Sequence, residues 1–204
     1  MVSKPVPSYE VLGIRVNLTT IDEVVSIIDE WITMQDGCKF IIATGMHGVV
    51  EAQRNPYFRK VVKSAELFVP DGFSLVAIAR LKGFKIRNRV SGPDLMFETC
   101  KNASKKGHKM FFYGDTANTL EVLSHQLLDK FPSLNIVGAH SPPFRPLTDE
   151  EALCDIEMIN SSGADILWVG LGLPKQEQWI YEHQNSLNVP VAIGVGAAFR
   201  FLSG

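Results

Sequence analysis

The second half of the sequence alternates strand-like with helix-like segments, and this alternation constrains the fold more than any other feature. From Pro93 onward, amphipathic stretches precede short apolar runs that end at a glycine. Predicted helices cover residues 94–105, 117–130, 148–161 and 174–186, and predicted strands cover 109–113, 134–138, 165–169 and 189–193. This pattern is typical of a parallel sheet with helices on both faces. Short connections and right-handed crossovers then favour a Rossmann-like doubly wound α/β fold.

The first half predicts the same kinds of element in a less regular order. Thr20 is a predicted N-cap, and Thr148 with Glu151 forms a predicted capping box before a later helix. An alternating strand over residues 11–18 is expected to turn near Gly13. The remaining predicted strands cover 39–43 and 67–69, the predicted helices cover 21–31, 56–64 and 74–81, and a further predicted helix follows residues 44–48 and ends at about Arg54.

Bulk properties exclude several classes of protein. The chain is 46% hydrophobic, which is enough to form the core of one domain or of two closely packed lobes. Its net charge of −2 lacks the basic excess that is typical of proteins that bind nucleic acids. No run reaches the roughly eighteen apolar residues of a membrane span, and no signal peptide is recognisable. Three cysteines without a C-x-x-C pair are predicted to be buried free thiols. We expect a cytoplasmic protein, with peripheral membrane contact left open.

Polar residues and glycines follow the predicted strands directly. Carboxyl ends of parallel strands meet at one edge of a sheet, and ligands bind there in doubly wound folds. We therefore expect a cluster on one rim, formed by Thr44, Asp71, Gly114, Asp115, Gly170, Gly172, Gly194 and Gly196.

The segment Val169–Trp179 runs from a strand through two glycines into a predicted helix that opens at Pro174. Glycine lets a ligand approach the backbone, and the N-terminus of a helix favours anions. Lys175, Gln176 and Gln178 add one cation and two amides. The segment predicts either a site for a phosphate-bearing ligand or an ordinary strand-to-helix turn, and its spacing is neither a P-loop nor G-x-G-x-x-G.

Asp71 is the best catalytic candidate, because an apolar strand delivers it into Pro-Asp-Gly at a strand end. A carboxylate there either acts as a general base or simply belongs to favourable turn chemistry. His47, close to Thr44, is either an acid/base group or the cap of the next helix. Arg89, near Gly92, either holds a diphosphate or pairs with a carboxylate. Asp115 either accepts from a ribose or base, or caps a helix.

No cluster of His, Cys, Asp and Glu has the spacing of metal ligands, and no G-x-S-x-G element occurs. The sequence therefore predicts no metal site, no cofactor and no serine hydrolase.

Several segments together resemble the WecG/TagA/CpsF glycosyltransferases (glycosyltransferase family 26). The resemblance runs collinearly over about residues 10–204, and its motifs lie in 43–44, 65–72, 89–95, 131–138, 163–180 and 193–199. It implies an inverting, metal-independent transfer of a sugar, N-acetylmannosamine in the best-known members. The implied donor is a UDP-sugar, and the acceptor is a polyprenyl-diphosphate-linked sugar at the cytoplasmic membrane face. Such reactions build wall teichoic acid linkers and other bacterial surface polysaccharides.

The resemblance also assigns residues. The family's proposed base corresponds to Asp71, its active-site Thr to Thr44, and the Gln of its Pro-Lys-Gln-Glu motif to Gln176. It implies one domain, with residues 1–92 as the acceptor and catalytic half and 93–204 as the nucleotide-sugar half. The predicted substrate-binding residues are His47, Arg89, Gly92, Gly114, Asp115, Gly170, Gly172, Pro174, Lys175, Gln178, Gly194 and Gly196.

The sequence departs from the family pattern in three places. His47 stands near the position of a common Asn, Ala197 replaces a glycine, and Arg200 replaces a common Asp. The resemblance also implies a basic tail beyond Gly204, which would contact the membrane. These differences leave the donor sugar open, and self-association is open as well.

Two other functions fit the same fold. A non-catalytic nucleotide-sugar-binding module would bind a UDP-sugar without turnover. An NAD(P)-dependent oxidoreductase is disfavoured because the dinucleotide fingerprint is absent.

Overall fold

The computed structural model describes residues 5–204 and contains a parallel sheet with helices on both faces. The strands are β1 (Ser8–Val11), β2 (Ile14–Asn17), β3 (Lys39–Thr44), β4 (Leu67–Pro70), β5 (Lys109–Gly114), β6 (Asn135–His140), β7 (Ile166–Gly170) and β8 (Val191–Gly194). The helices are α1 (Ile21–Met34), α2 (Met46–Arg54), α3 (Pro56–Ser64), α4 (Phe73–Leu81), α5 (Gly92–Lys106), α6 (Ala117–Lys130), α7 (Asp149–Ser161), α8 (Lys175–His183) and α9 (Ala198–Ser203).

The main sheet has six strands in the order β4-β3-β8-β7-β5-β6, and every neighbouring pair is parallel. This confirms the predicted Rossmann-like doubly wound fold. Strands from both halves of the chain share the sheet, because β8 pairs with β3. The assignment of separate roles to residues 1–92 and 93–204 stays a prediction.

Two apolar cores lie on opposite faces of the sheet. One contains residues of α2, α3, α4 and α8, such as Val49, Phe58 and Ile180, and the other contains residues of α1, α5, α6 and α9, such as Val24, Leu123 and Phe199. Central strands contribute to both, since successive side chains point to opposite faces. β5 illustrates the alternation, with Phe111 in the first core and Phe112 in the second.

The order of the strands places a crevice beside β5. From β5 the chain moves outward to β6, and then crosses back to form β7 on the other side of β5. Such a reversal separates the following loops and leaves room for a ligand at the carboxyl ends of the strands. The sheet therefore presents its strand-end residues on one rim, as predicted.

The N-terminal region forms a hairpin rather than the predicted single strand over 11–18. β1 and β2 pair antiparallel around a turn at Leu12 and Gly13, whose positive φ values of 50° and 74° suit a tight hairpin turn. The turn near Gly13 is confirmed, but the first strand begins earlier than expected. The Asn17 side chain accepts a hydrogen bond from the Phe68 N–H at 2.9 Å and joins the hairpin to β4.

Helix starts agree with the sequence where a local cap defines them. Both capping boxes form, with Thr20 paired to Glu23 and Thr148 paired to Glu151. Two starts differ: α5 begins at Gly92 with Ser91 as its N-cap, and α8 begins at Lys175, with Pro174 as N-cap after a cis peptide bond.

Helix α9 was not predicted from the sequence, and the burial of the cysteines was predicted incorrectly. α9 packs on α5 and α6 close to the rim. Only Cys100 is buried, whereas Cys38 is partly exposed and Cys154 is exposed. The expectation of three buried thiols is therefore wrong.

Candidate active site

A cavity of about 560 Å³ opens at the carboxyl ends of β5 and β7, where the strand order reverses. Most of the predicted substrate-binding residues lie in the loops and the helix turn around it. Six of them line it directly: Asp115, Gly170, Gly172, Lys175, Gln178 and Gly196. Gly114 belongs to the adjoining β5 end, where a Cβ atom would come within 2.6 Å of the Gly170 backbone, so only glycine fits this close approach.

A proline-rich loop forms the outer wall of the cavity and was missed in the sequence. It spans residues 142–147, Pro-Pro-Phe-Arg-Pro-Leu, after β6. Arg145 donates to both carboxylate oxygens of Glu151, at 2.7 and 2.6 Å, and ties the loop to the start of α7. The position of this loop directly after β6 could have predicted its role, because loops at the carboxyl edge of the sheet surround the ligand.

Aromatic side chains form the inner wall. Tyr113 stacks on Trp179 with their ring centroids 4.5 Å apart, and both residues line the cavity. The Tyr113 hydroxyl donates to the Asp155 carboxylate at 2.7 Å. Burial, followed by the bond to Asp155, raises the pKa of Tyr113 above its ordinary value, so this hydroxyl is protonated at neutral pH. Tyr113 is fully buried and Trp179 is 8% exposed, so this inner wall is apolar and closely packed.

Cations and carboxylates meet in the cavity. The Arg200 guanidinium on α9 donates to the Asp115 carboxylate at 2.9 Å, although Arg200 is itself largely exposed. Although burial opposes the effect, the bond from Arg200 contributes most to holding the pKa of Asp115 below its ordinary value. Asp115 does not cap the next helix, because Thr116 is the N-cap of α6. Lys175, in contrast, makes no ion pair within residues 5–204, and it lines the cavity.

Gln176 holds two glycine loops together. Its side-chain oxygen accepts from the N–H groups of Gly172 and Gly196, at 3.1 and 2.9 Å, and its amide nitrogen donates to Glu177 at 2.8 Å. Gly194 leaves room for it, because a Cβ atom there would lie 3.2 Å from the Gln176 side chain. Gln176 is buried, and both ends of its amide are bonded within the protein. The geometry therefore favours a positioning role, and direct substrate contact stays a prediction.

A second group of predicted residues lies at the neighbouring strand ends. The Asp71 N–H donates to the Thr44 carbonyl at 3.2 Å, and Gly72 packs against Gly45, where a Cβ atom would come within 3.4 Å of the Gly72 Cα atom. Asp71 is partly exposed, whereas Thr44 is buried below the first turn of α2. The structure thus brings together Asp71 and Thr44, two of the three proposed catalytic residues.

Competing influences determine the pKa of Asp71. Burial raises it above the ordinary value, the Arg89 charge and a hydrogen bond from the Gly92 N–H lower it, and Asp94 raises it slightly. The net shift is upward, which makes the ionised carboxylate a better proton acceptor than an exposed aspartate. No ion pair within 4.0 Å joins Asp71 to any of residues 5–204.

Arg89 and His47 flank this second group. The Arg89 guanidinium lies over the Phe73 ring, 4.8 Å from its centroid, and it has no carboxylate partner among the described residues. Of its two predicted roles, pairing with a carboxylate is therefore wrong, and binding a diphosphate stays a prediction. His47 is exposed in the first turn of α2 and does not cap that helix, because Gly45 is the N-cap.

One short loop connects the two groups. Val195 follows β8 and packs against Gly92, whose Cβ position lies 3.2 Å from the Val195 carbonyl. Val90, two residues before Gly92, donates its N–H to the Pro70 carbonyl at 2.9 Å, and Gly196, the next residue after Val195, lines the cavity. A short series of contacts therefore links the strand end that carries Asp71 to the 194–196 loop, which Gln176 holds in place.

Within residues 5–204, no group of three or more His, Cys, Asp or Glu side chains converges in a way that could hold a metal ion. In the same part of the chain, no helix has the length and apolar character that crossing a bilayer requires.

The fold and the site define a Rossmann-like α/β protein with a cationic, aromatic-walled ligand cavity on its carboxyl rim. The sequence profile of the glycosyl transferase WecG/TagA/CpsF family matches residues 9–204. The chain belongs to this family, as its motifs suggested.

Two relatives illustrate the family. An N-acetylglucosaminyldiphosphoundecaprenol N-acetyl-beta-D-mannosaminyltransferase of Bacillus spizizenii is 30% identical over 165 residues, which cover 81% of this chain and 62% of the relative. A protein of the same name from Staphylococcus aureus is 28% identical over 196 residues, covering 96% of this chain and 75% of the relative. The chain thus spans less than two thirds of the Bacillus relative.

Proposed function

We propose that this protein is an inverting glycosyltransferase that moves N-acetylmannosamine, or a related hexose, from a UDP-sugar to a polyprenyl-diphosphate-linked sugar in the synthesis of a bacterial surface polysaccharide or wall teichoic acid. The placement of Asp71 and the cavity on the same carboxyl rim of the sheet carries the proposal. The relatives' names supply the sugar and the acceptor, an N-acetylglucosaminyl-diphosphoundecaprenol.

Each part of the site has a task in this reaction. Asp71 takes the proton from the acceptor hydroxyl as that oxygen attacks C1 of the donor sugar, and the bond from C1 to the diphosphate breaks. Attack from the face opposite the leaving group inverts the anomeric centre. Thr44, whose hydroxyl makes no hydrogen bond with the described residues, is placed beside Asp71 to position a sugar.

The leaving UDP needs its growing negative charge stabilised. In the absence of a metal, the positive end of the α8 dipole and the Lys175 charge perform this task. The stacked Tyr113 and Trp179 rings provide an apolar wall for the uracil, and the 142–147 loop covers the opposite side. The proposal therefore requires no cofactor.

Calorimetric titration with UDP, UDP-N-acetylmannosamine and NAD tests the proposal first. We expect both uridine ligands to bind and NAD to be silent. Transfer of radiolabelled sugar to a short-chain polyprenyl-diphosphate-N-acetylglucosamine, with a chelator present, then tests the reaction itself. Binding of NAD without UDP would eliminate the proposal, and tight UDP-sugar binding without any transfer would favour a non-catalytic binding module.

Substituting Lys175 with Ala is expected to weaken UDP binding about tenfold, because a charge-assisted contact to the diphosphate contributes roughly 1.5–3 kcal/mol and this exposed one lies at the lower limit. Lys105→Ala, at an exposed position in the last turn of α5, is the matched control and should leave the affinity unchanged. Equal UDP affinities for the two variants would remove Lys175 from the diphosphate site.

A further inference from the structure

The outward face of α4 is apolar, although it faces solvent. Phe73, Ala77 and Leu81 are four residues apart and therefore lie on one side of the helix. Phe73 is 71% exposed and Leu81 is 87% exposed, whereas the opposite side of α4 buries Leu75, Val76 and Ala79 in the core. Both faces of this helix are thus apolar, and only one is buried within the described residues.

A strongly basic segment runs beside this face. Residues 80–89 contain Arg80, Lys82, Lys85, Arg87 and Arg89, and no acidic residue occurs between Asp71 and Asp94. These five are a quarter of the 20 Lys and Arg residues in the chain, which leaves fifteen for the remainder against 22 Asp and Glu. The positive charge is therefore concentrated on one surface of an otherwise acidic protein.

Internal contacts fix the basic segment against the helix. Arg80 donates to the carbonyls of Ile86 and Arg87, at 3.3 and 2.6 Å, and Ile86 is buried. The segment then returns to the rim, where the Val90 N–H donates to the Pro70 carbonyl at 2.9 Å. Arg89 rests on Phe73, so the apolar face and the cations meet directly beside Asp71.

We propose that this surface, formed by α4 and residues 82–89 and called here the α4 surface, docks the protein onto an anionic lipid bilayer. Exposed aromatic and aliphatic side chains enter the interface between headgroups and acyl chains, while Lys and Arg residues bind anionic headgroups. Charge complementarity favours a bilayer over a second copy of the chain, because two copies would bring like charges together. The inference deepens the proposed function, since it names the surface that brings Asp71 to a lipid-linked acceptor.

Co-sedimentation with vesicles tests the α4 surface without any donor or acceptor. The full chain is expected to bind vesicles of phosphatidylcholine mixed with phosphatidylglycerol, to bind pure phosphatidylcholine weakly, and to be released by salt. Each basic residue near a bilayer is worth roughly a fivefold change in partitioning, so Lys82→Glu with Lys85→Glu should reduce binding by about 30-fold or more. Leu81→Gln should reduce it by about tenfold.

Matched variants control for net charge and hydropathy. Lys63→Glu with Lys105→Glu makes the same charge change at exposed positions on other helices, and Leu153→Gln changes an exposed leucine on α7. Both are expected to bind vesicles like the parent protein. An equal loss in the control and test variants, or no binding to anionic vesicles, would overturn the proposal.

Two further measurements separate the remaining outcomes. Sedimentation velocity without lipid would show a dimer that Leu81→Gln dissociates if the α4 surface is instead an interface between copies, and this result would also refute bilayer docking. UDP titration should be unaffected by the Lys82 and Lys85 substitutions, so loss of vesicle binding and failure of the proposed transferase reaction are distinguishable.

Discussion

Asp71→Asn is expected to lower the rate of sugar transfer by roughly 10²–10⁴-fold, the usual contribution of a general base, with UDP affinity nearly unchanged. The amide keeps the shape of the side chain, but it cannot take a proton. UDP should bind as before, because Asp71 does not line the cavity. Single-turnover transfer and calorimetric titration of the same preparation measure the two effects.

The pH dependence of transfer provides a second readout of Asp71. Activity should fall as the pH drops through its pKa, because the protonated acid cannot serve as a base. Since burial raises this pKa, the decline should begin at a higher pH than for an exposed aspartate. Asp94→Asn is the matched control, because removing that nearby negative charge should move the decline to lower pH while leaving the neutral-pH rate largely intact. Full activity of Asp71→Asn would exclude Asp71 as the base.

Local signals in the sequence predicted most of the fold. The capping pairs of α1 and α7 lie within four residues of chain, and alternation of apolar runs with helical periodicity located the strands of the sheet. The observed ends of helices and strands differ from the predicted ends mainly where a contact with a residue distant in the sequence determines them. α9 gave no periodic signal over its six residues, and its packing on α5 and α6 determines it.

The sequence predicted that the site residues lie at one edge of the sheet, but it did not predict the contacts between their side chains. The predicted strand-end residues do lie together, because a parallel sheet places all its carboxyl ends on one edge. The ion pair between Asp115 and Arg200 joins residues 85 positions apart, and the Gln176 bridge depends on the distance between two loops. Residue types alone do not reveal such contacts, so neither the Arg200 partner of Asp115 nor the bridging role of Gln176 could be predicted.

Glu177 was the least foreseeable feature, because a glutamate in the first turn of a helix is ordinarily solvated. Its side chain is fully buried, one carboxylate oxygen accepts from Gln176, and the other has no partner within residues 5–204. Burial raises the pKa of Glu177 to about 7, against an opposing effect of the Gln176 hydrogen bond. The motif that carries the proposed diphosphate site therefore contains an uncompensated carboxyl directly below it.

This carboxyl should make the stability of the protein depend on pH. The folded state binds the proton more tightly than the unfolded state, in which the pKa is near the ordinary 4.5. The stabilising contribution is therefore complete below about pH 4.5, declines as the pH rises toward 7, and is absent above it. A shift of this size corresponds to about 3 kcal/mol. Glu177→Gln is neutral at every pH and keeps the oxygen that accepts from Gln176, so it should remove the decline.

Urea unfolding of the parent and Glu177→Gln at a series of pH values measures this difference. The two free energies of unfolding should agree in mild acid, and the variant should be more stable by up to about 3 kcal/mol in mild alkali. Other titrating groups are common to both proteins and cancel. Glu121→Gln, on the exposed face of α6, is the matched control, with an expected change below about 0.5 kcal/mol. A constant difference between parent and Glu177→Gln across this range would mean that the carboxyl is ionised in the folded protein, and hence that the α8 dipole and a bound cation or water compensate its charge.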